Sequence, residues 1–270
     1  MEARVSATTS AVGELLREWR GTQGMSQLDL ALEAGVSSRH VSFIETGRST
    51  PSRAMVLRLA ATLDLPLRER NALLVAAGFA PVYRESVLQD ADLAPVRRAL
   101  ELVLRSHEPY PAFVLDSGWN ILLANRAHER VLPMLMPEGA PIPDSVNVVR
   151  LVFDPALLRP RVANWELVAH VLGHRVRRQL RSPNLETERK RLFEELLAYP
   201  GVGAAMARAT APPDAAILIP LVFEIDGGRL SWFSTIATIG TPQDVTLEEL
   251  RIESLFPADE ETDEAIKRIG

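Results

Sequence analysis

The run Ser37-Ser38-Arg39-His40-Val41-Ser42 places three hydroxyls and a guanidinium so that a helix would carry them away from Val41 and Ile44. A guanidinium that bonds O6 and N7 of guanine together makes a contact no other base offers in the major groove. Arg39 is therefore the sharpest candidate for reading a base, with Ser37, Ser38 and Ser42 beside it. Arg48, Ser49, Ser52 and Arg53 follow Gly47, where a loop meets the start of a further helix. Cations and backbone N–H groups in such a place suit phosphate oxygens. His40 lies on a mixed face and is read as structural or simply exposed. Phosphate would repel Glu45, whose expected role is to hold a neighbouring arginine or a loop amide.

Those side chains need a scaffold, and the flanking periodicity supplies one. Val12, Leu15, Leu16 and Trp19 recur at three and four, predicting a helix that ends between Gly21 and Gly24. Ser26 is a good N-cap for a second helix with Leu28, Leu30, Ala31 and Ala34 inward, stopped at Gly35. Ser37 or Ser38 caps a third, with Val41 and Ile44 inside and Phe43 beside them. Ser52 caps a fourth, carrying Met55, Val56, Leu59, Ala60 and Leu63, and Pro66 opens a fifth with Leu73, Leu74 and Ala77. Five short helices with a glycine-containing turn between the second and third predict an all-α helix-turn-helix domain over residues 1–80, the third helix in the major groove.

The stretch "MSQLDLALEAGVSSRHVSFIETGRSTPS" resembles the core of Xre-type repressor DNA-binding domains. The resemblance implies double-stranded operator DNA as a partner and places Gln27 near backbone and bases at the start of helix two. It assigns Ser37, Ser38, Arg39 and Ser42 to base readout, and Arg48, Ser49, Ser52 and Arg53 to phosphate.

Composition is compatible with that reading. The chain has 270 residues, 47% hydrophobic, enough for packed cores, and no cysteine, so disulfides and sulfur-based zinc sites are excluded. Its net charge is −5, but residues 1–84 hold ten Arg and no Lys against eight Asp plus Glu, a balance of +2. The acidity thus belongs to the remainder, at −7. The N-terminus has no basic start followed by an apolar core, and no run approaches the ~18 apolar residues of a membrane span. The expectation is a soluble, cytoplasmic protein without membrane contact. "GFAPVYRESVLQDADLAP" reads as a linker, taken as 81–92. There is no fixed-period repeat.

Residues 93–270 read as an α+β domain. A helix carries Val96, Leu100, Val103 and Leu104, and two short strands flank Asp116-Ser117-Gly118. A helix then begins after Asn125. The middle holds a short helix broken at Asp154-Pro155, one burying Trp165, Val168, Leu172 and Val176, and another with Leu192, Leu196 and Leu197 inward. "AAILIPLVFEIDGGRLSWFSTIATIG" alternates as a hairpin about Asp226-Gly227-Gly228, and "DVTLEELRIESLFP" pairs beside it. The count is a five-stranded antiparallel sheet with inserted helices, a PAS-like architecture.

"RLVFDPALLRPRVANWE", "LLAYPGV" and "LSWFSTIATIGTPQDVTLEELRIESLFPAD" resemble the ligand-binding half of MmyB-like transcriptional regulators, and with the head the resemblance runs from about Leu15 to Asp259. It implies a bacterial transcription factor whose sensor domain takes a small apolar ligand, a fatty acid being plausible, with no other cofactor. Phe113, Trp119, Trp165, Trp232 and Phe233 are candidate lining residues, with plain core packing as the alternative for each. Asn125, Arg150 and Asn164 are candidate polar anchors, Arg150 the natural partner of a carboxylate.

Enzyme motifs are missing. "PGVGAAMA" has Met206 where a Rossmann loop needs its third glycine and follows a helix, and no Walker loop, G-x-S-x-G elbow or kinase signature is present. Glu166, His170 and His174 share a helix face at metal-ligand spacing, but Arg177, Arg178 and Arg181 adjoin it, so it reads as a solvated face with no metal. The expectation is a non-enzymatic regulator, acting as a homodimer on paired half-sites. A repressor whose second half only dimerises or binds a protein stays open beside it.

Overall fold

Val12, Leu16 and Trp19 are buried along α1 (Glu2–Thr22), as their spacing predicts. The computed structural model describes residues 2–143, 145–180, 187–208, 220–226 and 228–269, which fall into two units. In the first unit α1 is followed by α2 (Gln27–Glu33), α3 (Ser38–Glu45), α4 (Arg53–Thr62) and α5 (Leu67–Ala76). Ser26 and Asp29 form a reciprocal capping box on α2. Ser37, the first of the two candidate caps, accepts from His40 N at 3.2 Å, and Ser52 from Met55 N at 3.3 Å. Gly35 closes α2 at φ +63°, a conformation costly for any residue with a Cβ. Leu30, Ala31, Val41, Ile44, Leu59, Leu73 and Leu74 complete the core. Leu28 departs from expectation at 56% exposed, because at 100° per residue it lies well round α2 from the Leu30, Ala31 and Ala34 face.

One carboxylate joins the first three helices. Glu45, its side chain wholly buried, accepts from Arg20 Nε at 2.7 Å, Arg20 Nη2 at 3.0 Å and Gln27 Nε2 at 2.8 Å. Arg17 donates to the Glu45 carbonyl at 2.7 Å. Close approach makes this possible: a Cβ on Gly13 would meet the Ile44 carbonyl oxygen at 2.6 Å. The expectation that Glu45 holds an arginine is met with two.

Residues 82–86 do not run free as a linker. Asn71 Oδ1 accepts from Val82 N and Tyr83 N at 2.9 and 3.0 Å, and the division between units falls after Ser86. The first unit also takes in Thr241–Glu248. There Ser86 Oγ donates to Asp244 Oδ2 at 2.7 Å, and Leu67 N donates to Glu248 Oε2 at 2.6 Å. Glu248 thereby serves the N-terminus of α5, which Pro66 cannot cap.

The second unit contains α6 (Ala94–Ser106), β1 (Ala112–Leu115), β2 (Ile121–Ala124), α7 (Arg126–Leu135), α8 (Val148–Phe153), α9 (Trp165–Gln179), α10 (Thr187–Ala198) and α11 (Val202–Ala207). Strands β3 (Leu221–Ile225) and β4 (Gly228–Ala237) follow, then β5 (Arg251–Pro257) and α13 (Glu260–Ile269); α12 (Val245–Glu249), which comes between β4 and β5 in the chain, belongs to the first unit except for its last residue. The strands form one antiparallel sheet in the order β2-β1-β5-β4-β3. Residues 215–219 of the expected first strand of the hairpin, Gly227 in its turn, and Arg181 lie outside the described residues. The early part of "DVTLEELRIESLFP" is helical instead of extended, since Asp244 Oδ1 accepts from Thr246 N at 2.9 Å and starts a turn. Leu197 and Val103, expected inward, are each 44% exposed. Helix α13, which the periodicity reading omits, buries Ile266 among Phe223, Leu230 and Trp232.

Burial pushes the Glu45 carboxyl up, but hydrogen bonds from Arg20 and Gln27, with the charges of Arg20 and Arg17, bring it below its ordinary 4.5. A carboxylate depressed in the fold stabilises above its unfolded value and loses that contribution as pH falls through its folded one. Denaturant titrations from pH 7 to 3 should therefore show the first unit weakening below about 4.5. Glu45→Ala, which strands half-buried Arg20, should cost about 3 kcal/mol at pH 7, and a loss under 1 kcal/mol would contradict the linking role.

Candidate nucleic-acid interface and apolar cavity

Helix α3 presents Ser38 and Arg39 to solvent in its first turn and Ser42, half-buried, one turn on. The Arg39 guanidinium lies over the Phe43 ring at 5.1 Å, which holds it along the helix. Ser37 is occupied as the cap. The Gln27 amide nitrogen donates to Glu45, which leaves its second N–H and its carbonyl oxygen for a further partner. Arg48 N and Ser49 N both donate to the Phe43 carbonyl, at 2.8 and 3.1 Å, turning the chain sharply beyond α3. Ser52 caps α4 and Arg53 opens it, exposed. Arg39, Arg48 and Arg53 are thus three exposed cations around one helix, and none is in an ion pair among the described residues.

In the second unit a cavity of about 90 Å³ lies between the sheet and its helices. Phe113, Phe223, Trp232 and Leu255 line it from the strands; Val131, Leu132, Leu135 and Leu151 line it from α7 and α8. Three polar groups enter this apolar wall. His128 packs edge-on to Phe113, centroids 5.1 Å apart, and burial pushes its pKa down to about 4, so the ring is neutral at pH 7. Trp232 is completely buried, and among the described residues its Nε1 has no hydrogen-bond partner. The Glu253 Oε2 is likewise buried without a hydrogen-bond partner, 3.7 Å from Arg175 Nη1.

Of the residues the sequence nominates for a ligand, Phe113 and Trp232 line this cavity and six do not. Trp119 packs in the cluster that includes Phe113 without lining the cavity, donating to Gln179 Oε1 at 2.7 Å with Arg175 over its ring at 4.6 Å. Trp165 donates to the Val152 carbonyl at 3.3 Å and lies under Arg159 at 3.7 Å. Phe233 stacks on Phe256 at 5.3 Å, on the opposite sheet face from Trp232. Asn125 is consumed as the cap of α7: its Oδ1 accepts from His128 N and Ala112 N, and its Nδ2 donates to Leu104 and Tyr110 carbonyls. Asn164 ties down the start of β3, donating to the Pro220 carbonyl at 2.6 Å and accepting from Val222 N at 3.1 Å. Arg150 pairs bidentately with Glu195, at 2.8 and 2.9 Å, in a second, polar recess of about 300 Å³.

Sequence reasoning passes over His128 and Glu253. The available signal for Glu253 is its period-two register with Leu255 on an inward strand face. The histidine pair of α9 is not simply solvated: His170 and His174, 4.5 Å apart, bond to the Ala205 and Met206 carbonyls, and Glu166 pairs with Arg208. Among the described residues no group of three His, Asp or Glu could hold a metal, and no helix is long and apolar enough to cross a membrane.

A capped recognition-type helix in one unit and a sheet-backed apolar cavity in the other define a helix-turn-helix DNA-binding regulator that carries a ligand-binding domain. Residues 16–70 match a helix-turn-helix family, and residues 96–269 match the family described as MmyB-like transcription regulator ligand binding domain. The chain belongs to the MmyB-like transcription regulators. It is 34% identical over 84 residues to the uncharacterized HTH-type transcriptional regulator RghRB of Bacillus subtilis (strain 168), a match covering 31% of this chain and 58% of that protein. Among solved structures, the restriction-modification controller protein C.AhdI from Aeromonas hydrophila is 35% identical over 23% of this chain and 94% of its own, TM-score 0.22. The clp gene regulator ClgR from C. glutamicum is 25% identical over 26% of this chain and 88% of its own, TM-score 0.24.

The neutral His128 has a measurable consequence. Unfolding releases it to its ordinary 6.5, so the unfolded chain takes up a proton that the folded one refuses as pH falls from 6.5 towards 4. The second unit should lose up to roughly 3 kcal/mol across that window. His128→Phe, which keeps the ring against Phe113, should flatten the profile there in fluorescence-monitored denaturation. Equal slopes for the two proteins would exclude a buried neutral histidine.

Proposed function

We propose that the protein is a cytoplasmic, ligand-responsive transcription factor that binds an operator as a homodimer, with α3 in the major groove. The observation that carries the reading is Arg39, exposed and without an ion pair in the first turn of a helix whose other face is buried. Ser37, Ser38 and Ser42 stand near base edges on this reading, Arg48, Ser49, Ser52 and Arg53 near the phosphate backbone, and Gln27 near backbone and bases at the start of α2. A head of only +2 neutralises few phosphates and binds weakly alone, so on this reading two heads act together.

The second unit holds a small apolar molecule that biases this pairing. The cavity of about 90 Å³, lined almost entirely by apolar side chains, suits such a molecule. A second reading, in which this unit only dimerises, is favoured by Leu102 and Val103, 64% and 44% exposed side by side on α6. Native mass spectrometry separates the two: a dimer that never carries a small molecule favours the second.

The DNA contacts are tested by measuring binding across a library of operator variants. Arg39→Ala should cost roughly 1–3 kcal/mol and relax preference at one base pair, while Arg48→Ala weakens every sequence alike and lowers the salt slope by about one. Uniform loss on all sequences for Arg39→Ala would remove it from base readout.

A further inference from the structure

We propose that the outer face of α6 is the surface on which two copies of this chain pair, with the two helices antiparallel. The proposal rests on the homodimer put forward above and names its interface. Helix α6 buries Leu100 and Leu104 on one side. On the other it turns Pro95, Ala99, Leu102, Val103 and Ser106 to solvent. Pro95, Ala99, Leu102 and Ser106 recur at four, three and four, so they form one stripe along the helix. Scattered apolar side chains on a surface are ordinary, but a continuous stripe of them marks a contact with another molecule.

The charges beside the stripe point to a second copy as its occupant. At 100° per residue, Arg98, Glu101 and Arg105 lie along one flank of it, and the other flank carries Val96 and Val103 with no charge. All three charged residues are exposed, and none is in an ion pair among the described residues. Arg105 Nε donates to the Glu101 carbonyl at 3.3 Å, which leaves the Glu101 carboxylate for a partner. Two such helices packed face to face and antiparallel bring like flanks together. With Leu102 of one copy against Ala99 of the other, each Glu101 falls between Arg98 and Arg105 across the twofold axis. The same register sets large against small at both Leu102–Ala99 layers and lets the axes approach to ~8–10 Å. A parallel pair would instead lay the charged flank on Val96 and Val103. The surface is therefore complementary to itself, which a twofold interface requires.

The test uses the full chain without DNA, in sedimentation velocity and native mass spectrometry. The unaltered protein should be a dimer. Leu102→Glu, a change that an exposed helical site tolerates, should raise the dissociation constant about a hundredfold. Glu101→Arg sets like charges against each other across the axis, as does Arg98→Glu combined with Arg105→Glu, so each protein alone should dimerise weakly. An equal mixture of the two should form heterodimers, because opposite charges then meet at every position. The chain has no cysteine, so Ala99→Cys mixed with Leu102→Cys should give a disulfide-linked dimer on mild oxidation. A dimer that survives Leu102→Glu unchanged would overturn the α6 assignment and leave the homodimer intact. A mixture without heterodimers, or thiols that do not crosslink, would overturn the antiparallel register. A monomer for the unaltered protein would overturn the homodimer itself, and the assignment with it.

Discussion

The sheet of the second unit depends on one placement: β5, last in sequence, lies between β1 and β4. Its pairing sets Phe113 opposite Glu253 and Trp232 opposite Pro257, so the cavity floor is assembled from strands at both ends of the domain. Helix α7 packs on β1 and β3, and β5 is what joins the β1 side to the β4–β3 side in one sheet. Pairings between such distant segments form late, because loop closure must precede any stabilising contact. Helix α13 then buries Ile266 beside Trp232 and seals the far side of the cluster.

A comparable node governs the first unit. Glu45 draws α1, α2 and α3 together through Arg20, Arg17 and Gln27, and Gly13 lets α1 come close enough. This changes what the head's charge means. Arg20 counts towards the positive balance but is neutralised inside the fold, so the cations facing outward around α3 are Arg39, Arg48 and Arg53. Glu45 holds α3 at a fixed height on α1.

The helices of the head were legible because their punctuation is local: Ser26, Ser37 and Ser52 cap, and Gly35 and Gly47 stop. Strand number was legible from alternation; strand order was not, since nothing local says that β5 enters the centre. The cavity-lining residues were the least readable part. Trp232 and Phe233 are neighbours of like chemistry on opposite faces, and one step of register separates cavity from outer surface. Asn125 and Asn164 carry the amides that suit a ligand anchor, but the same amides suit a helix cap and a strand tie, which is how they are used. His128 and Glu253 interrupt apolar faces, and such polar interruptions read as solvent-facing until the packing is known. The expected linker failed for a similar reason, as Asn71 supplies an edge for Val82 and Tyr83 to bond.

The inclusion of Thr241–Glu248 in the first unit bears on how proteins of this plan can be shuffled. Heads and sensors joined by a free tether exchange like beads, with any cut in the tether equivalent. Here Ser86 with Asp244, and Leu67 with Glu248, are halves of one head separated by most of the sensor sequence. A recombinant joined at residue 80 inherits a foreign Glu248 position beneath α5. The two segments are therefore expected to be inherited together, and the natural unit of exchange is a discontinuous one.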